Sequence, residues 1–147
     1  MHGRYLKMKP TQLLLIVTVS LLAATSLVAG DIKVIANPSV GATAVSADDL
    51  KGVFLATKTS LGDGSHVEPV LEKGGPAHEA FVKDYLGKTD AALQTYYRSL
   101  VFTGKGSMPK TLGGDAEVVA YVAKTKGAIG YVGSGASTAG VKTLEVK

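Results

Sequence analysis

Three short runs in this 147-residue chain hold residues able to engage a ligand. Gly74-Gly75-Pro76-Ala77-His78 sets two residues without side chains before a proline suited to the first position of a helix. Such a junction lets backbone approach a ligand closely and aims the free N–H groups of a helix start at it, which is chemistry for an anion. The plainer alternative is a helix-start turn with an exposed His78. Thr103-Gly104-Lys105-Gly106-Ser107 offers a lysine and two hydroxyls on flexible backbone, a set that suits either an oxyanion cradle or a solvated connection between helices. It is not a nucleotide phosphate loop, which needs a glycine where Ser99 stands and a strand in front. Asn37-Pro38-Ser39 follows a first strand, where open α/β sheets place ligands, and Asn-Pro is equally a turn former.

Other chemistries find little support. His66 and His78 sit in different segments with no acidic residue at ligand spacing, so neither a metal nor any other cofactor is expected. No Gly-x-Ser-x-Gly elbow occurs, Gly133-Ser134-Gly135 lacking the spacer residue on each side of the serine, and the chain is expected not to be an enzyme. With no cysteine, disulfides, thiol catalysis and cysteine-zinc sites are excluded. Tyr96, Tyr97 and Tyr121 fall on helix faces expected to pack inward rather than to stack on a ligand.

The elements that must position these runs follow from periodicity. Ile32–Ala36, Val67–Leu71, Ala128–Val132 and Lys142–Val146 have strand character. Ser46 caps a helix with Asp48 and Asp49 in its first turn and a stripe of Leu50, Val53 and Phe54. Pro76 and Gly87 bracket a second helix with the stripe Ala77, Phe81 and Tyr85. Thr89 opens a third, in which Leu93, Tyr96, Tyr97, Leu100 and Val101 keep helical spacing, and Asp115 to Lys124 forms a fourth. This order predicts an α/β domain, a mixed sheet flanked by helices, with Phe54, Phe81, Leu93, Tyr97, Val101, Val122 and Ile129 in one core.

Arg4, Lys7 and Lys9 precede an apolar run from Leu13 to Leu22 that continues to small residues at Val28-Ala29-Gly30, the pattern of a secretory signal peptide over residues 1–30. The rival reading, an uncleaved anchor, falls short of the ~20 apolar residues that span a bilayer comfortably. Removing the leader takes away three of sixteen basic groups and none of the twelve acidic ones, so the formal charge of +4 falls to about +1. The basic pI is a property of the leader, and no nucleic-acid partner is expected. Residues 31–147 suit one domain, released to the bacterial periplasm or outside.

Val101-Phe102-Thr103-Gly104-Lys105-Gly106 and Gly127-Ala128-Ile129-Gly130-Tyr131-Val132, together with Ser46 to Phe54, Gly74 to Phe81 and Gly113-Gly114-Asp115-Ala116-Glu117-Val118-Val119, resemble in order and spacing the substrate-binding proteins of phosphate ABC transporters, in their short single-lobe form. The resemblance implies a single periplasmic-binding-protein-like (type II) lobe, phosphate or a similar small anion as ligand, and a transporter membrane complex or another periplasmic protein as partner. On it, Gly74, Gly75, His78, Thr103, Lys105 and Ser39 are the expected ligand-binding residues. Two departures stand out. Where the family offers a hydroxyl and an arginine, this chain has Gly75 and His78; where it carries glycine and tryptophan after the first helix, this chain has Ala56 and Leu61.

Overall fold

The computed structural model describes residues 32–147. The expected leader lies outside them. The strands are β1 (Ile32–Ala36), β2 (Ala44–Val45), β3 (Glu68–Glu72), β4 (Lys110–Leu112), β5 (Ala128–Gly133) and β6 (Lys142–Val146). The helices are α1 (Ala47–Phe54), α2 (Pro76–Phe81), α3 (Asp90–Phe102) and α4 (Asp115–Lys124). The chain continues from α2 through one π-helical turn, Val82–Leu86, which Gly87 ends in the left-handed conformation at φ 63°.

The strands form one mixed sheet in the order β2-β6-β1-β5-β3-β4. β1 runs antiparallel to both its neighbours, β5 and β6, whereas the β5–β3, β3–β4 and β2–β6 pairs are parallel. All strands but β1 therefore point one way. That reversal decides where each candidate residue lies, because the carboxyl end of β1 adjoins the amino end of β5.

Side chains alternate across the sheet and fill two cores. Val34, Ile129 and Tyr131 pack with Phe54, Phe81, Leu93 and Tyr97 under α1, α2 and α3. Ile35, Val70, Ala128 and Val132 pack with Val118 and Val122 under α4 on the other face. Gly130 lies under α4, where an added Cβ would stand 3.0 Å from a Val118 methyl, so glycine there permits close helix-to-sheet approach.

The helix starts follow the sequence: Ser46 Oγ accepts from Asp49 N at 3.0 Å, and Thr89 Oγ1 accepts from Ala92 N at 3.2 Å. The Tyr96 and Tyr97 hydroxyls each donate at 2.6 Å, to the carbonyls of Leu55 and Phe54, fastening α3 to the end of α1. These phenols are structural, as their helix positions implied.

The single-core expectation needs two corrections. Val122 belongs to the α4 side, so the predicted set divides between two faces. Val101 is 53% exposed, because α3 packs on the core through Leu93, Tyr96, Tyr97 and Leu100 and Val101 lies off that face. Periodicity also passed over β2 and β4, of two and three residues, which are too short to show a period.

Candidate functional site

Since β3, β4 and β5 run parallel, their carboxyl ends open on one rim. Each leads into a glycine-bearing loop: Gly74-Gly75 after β3, Gly113-Gly114 after β4, and Gly133-Ser134-Gly135 after β5. The starts of α2 and α4 face the crevice between them, a space of about 410 Å³ lined by Glu72, Gly74 to Ala77, Gly114, Asp115 and Gly133 to Gly135. Neither helix start carries a side-chain cap. The N–H groups at the start of α4, and those of α2 after Pro76, which has none, are left to the crevice with their partial positive charge.

Gly75 has φ 95°, a conformation hostile to any side chain with a Cβ. This accounts for one family departure: a hydroxyl-bearing residue at position 75 would strain the turn that starts α2.

Two carboxyl groups set the electrostatics. Glu72 ends β3, is 4% exposed, and its Oε1 has no hydrogen-bond partner among the described residues. Burial first, then the hydrogen bond and charge of Asp115, push its carboxyl up to about 8. Two full negative charges about 4 Å apart would repel by ~4 kcal/mol at an effective dielectric of 20, so the pair keeps a proton at neutral pH. Asp115 Oδ1 accepts from Gly133 N at 3.1 Å, which ties α4 to the end of β5. Neither carboxylate figured among the sequence candidates. The available signal was an acidic residue at the inner end of an apolar strand directly before Gly74-Gly75.

His78 turns away from the crevice. It is 1% exposed, with Nδ1 2.5 Å from the Tyr131 hydroxyl and Nε2 2.7 Å from Asp90 Oδ1. The expectation of an exposed His78 is thereby corrected: one turn into α2 its ring points at the sheet, where Tyr131 and Asp90 provide for both nitrogens. Tyr131 Oη also accepts from the Glu72 backbone N at 3.0 Å, so one phenol oxygen meets both α2 and the end of β3. An Asp-His-hydroxyl series of this kind invites comparison with nucleophilic catalysis. Burial raises the Tyr131 phenol well above the usual range, and its oxygen is fully enclosed. No substrate reaches it.

The remaining candidates lie elsewhere. Lys105 and Ser107 share a different cavity with His66 to Pro69, at the amino ends of β3 and β4. Five residues of β3 at ~3.3 Å each, roughly 15 Å, separate that end from Gly74. Thr103 is exposed at the end of α3 and donates back to Ser99 O at 2.8 Å. Ser39 is at the amino end of β5, where its Oγ accepts from Gly127 N at 3.0 Å, while Asn37 Nδ2 donates to the Val122 carbonyl at 2.8 Å. The fold brings Gly74 and Gly75 to the crevice, buries His78 behind it, and leaves Thr103, Lys105 and Ser39 away from it. Among the described residues, no group of three or more His, Cys, Asp or Glu is placed to hold a metal ion.

One reversed strand within an otherwise parallel sheet, helices on both faces and a crevice at the carboxyl ends define a mixed α/β lobe. Solved structures of that class resemble it: a Clostridium perfringens protein assigned to the phosphate ABC transporter substrate-binding proteins and solved with phosphate bound (TM-score 0.60, 15% identity, 78% of this chain and 44% of that one); PstS from Borrelia burgdorferi (0.57, 14%, 79% and 47%); and an ABC-type phosphate transport receptor from Vibrio cholerae (0.50, 13%, 78% and 45%). The chain spans less than half the length of each. No family model matches it, and no curated protein does. At these identities the likeness is one of fold, and at that level the family resemblance and the mixed α/β lobe expected from the sequence both hold.

Proposed function

We propose that this chain is an exported, non-enzymatic binding lobe that takes phosphate or a similar small oxyanion, weakly, on behalf of an ABC-type uptake system. The observation that carries this reading is the crevice where the loops after β3, β4 and β5 meet beside two uncapped helix starts. Ligands of open α/β sheets bind outside the carboxyl ends of the strands, and helix starts attract anions. Solved relatives of the same fold are phosphate-transport binding proteins, one with phosphate bound. The enclosed Tyr131 hydroxyl supports a non-enzymatic role.

Weakness follows from size. A two-lobed protein closes on its ligand from both sides, and a lone lobe supplies about half the contacts, enough to move micromolar affinity toward millimolar. Tight binding needs a second lobe, from a partner or another copy. Calorimetric titration of the purified protein with phosphate, sulfate and nitrate tests the reading. Saturable millimolar binding of at least one anion is expected, and the absence of binding by all three overturns it.

One feature favours a second reading, an accessory protein that keeps the fold without the ligand and docks on a membrane complex or another periplasmic protein. Val101, Phe102 and Met108 form an exposed apolar patch at the end of α3, with Phe102 92% exposed. That reading expects no anion binding, and loss of partner capture in Phe102→Ser.

A further inference from the structure

Resting on the reading of the carboxyl-end crevice as a ligand site, we propose that the ligand it fits is a small oxyanion carrying its own ammonium group, with the anionic head on the uncapped start of α4 and the ammonium on Glu72. Two features of opposite character adjoin in the crevice, where Asp115 at the start of α4 meets Glu72. The ten-residue α4 begins at Gly114 without a side-chain cap, leaving its first N–H groups to bind an anion. Beside it, Glu72 is 4% exposed and lines the crevice with an Oε1 that no described residue serves. A buried acceptor without a donor is costly to keep. A ligand N–H supplies that donor.

Charge selects the same class. Among the described residues, Glu72 and Asp115 are the only charged side chains lining the crevice, and no lysine or arginine lines it. Bare phosphate arrives there with up to two negative charges, no counter-charge to meet them and an acidic pair to repel it. An ammonium reverses the sign of that interaction while the head keeps its helix N–H groups. Size agrees: 410 Å³ holds about fourteen waters at roughly 30 Å³ each, more than the five heavy atoms of phosphate need. An ammonium beside Glu72 also favours its ionised form, so binding at neutral pH releases a proton from the carboxyl pair.

The probes are 2-aminoethylphosphonate and ethylphosphonate, which share a head and differ in the ammonium, titrated at pH 7 by calorimetry in buffers of different ionisation enthalpy. The amino compound is expected to bind at least tenfold more tightly and to release protons on binding. Glu72→Gln and Asp115→Asn, each checked for a single cooperative thermal transition, should cut that preference to about threefold or less. Equal or tighter binding of ethylphosphonate, or a preference untouched in both variants, overturns the ammonium assignment and leaves the oxyanion reading standing. Failure of both compounds and of phosphate to bind overturns the two together.

Discussion

The hydroxyl of Tyr131 lies 2.5 Å from Nδ1 of His78, deep in the core, and that contact couples the first turn of α2 to β5. The same oxygen accepts the Glu72 backbone N–H at the end of β3. One phenol therefore holds two of the elements that frame the crevice. Its ring also stacks on Phe81, with centroids 3.9 Å apart, so the polar anchor and the apolar packing share a side chain.

Tyr131→Phe keeps the stack and removes the anchor. It leaves His78 Nδ1 and Glu72 N unpaired in the interior, a loss of about 1–3 kcal/mol for each buried group. Chemical denaturation should show a fall in midpoint with an unchanged slope. A midpoint equal to that of the parent would mean that water replaces the hydroxyl and that the crevice is wetter than its burial implies.

Phe81→Ala and Val101→Ala separate the two sides of α3 and its neighbours. Phe81 is fully buried between Phe54 and Tyr131, and its truncation should cost ~3–5 kcal/mol. Val101 is half exposed, and its truncation should change stability by about 0.5 kcal/mol or less. Comparable losses at the two positions would put Val101 back in the core.

The difference between these residues marks how far sequence carries. Strands and helices of five or more residues declared themselves through period and caps: β1 and β6 match their expected ranges, and Ser46 and Thr89 cap the helices they were expected to cap. The direction of a strand leaves no local trace. Because β1 runs against its neighbours, Ser39 lies at the end of the sheet away from Gly74, and Lys105 shares that far end. Glu72 and Asp115 are 43 positions apart in the sequence and meet only because β3 and the start of α4 share a rim. The burial of His78 depends on Asp90 and Tyr131, 12 and 53 positions away, which no spacing within α2 reveals.

Lys105→Ala tests which end of the sheet binds. With the ligand at the carboxyl ends of β3, β4 and β5, the substitution should leave anion affinity within about twofold, since Lys105 stands roughly a strand length away. A tenfold loss, about 1.4 kcal/mol, would move the site to the cavity that Lys105 lines with His66.

Export should remove about the first 30 residues, given the basic head and the small residues at Val28 to Gly30. Mass spectrometry of protein recovered from an exporting bacterium checks it. An intact Met1 on a membrane-bound product would favour the anchor.

The Glu72 carboxyl makes stability depend on pH with a definite sign. In the folded state it holds its proton up to about pH 8, against 4.5 for the free group, through burial and the adjacent Asp115. Between those values the folded protein binds a proton that the unfolded chain has released, so stability falls as pH rises. The contribution is complete below about pH 4.5 and is lost as pH rises through 8. Its full size by linkage, discounted because the crevice opens to solvent, is on the order of 2 kcal/mol, or several degrees of melting temperature for a domain of this length. Other groups titrate at the acidic end, among them Asp49, which Lys58 holds below the usual carboxylate range, so the informative quantity is a difference. Glu72→Gln keeps the shape and cannot ionise. Melting temperatures from pH 5.5 to 8.5 should fall more steeply in the parent than in the variant, with the variant the more stable at pH 8.5. Parallel curves would show that Glu72 titrates as an ordinary surface carboxyl, and the crevice would lose the buried acid on which its selectivity depends.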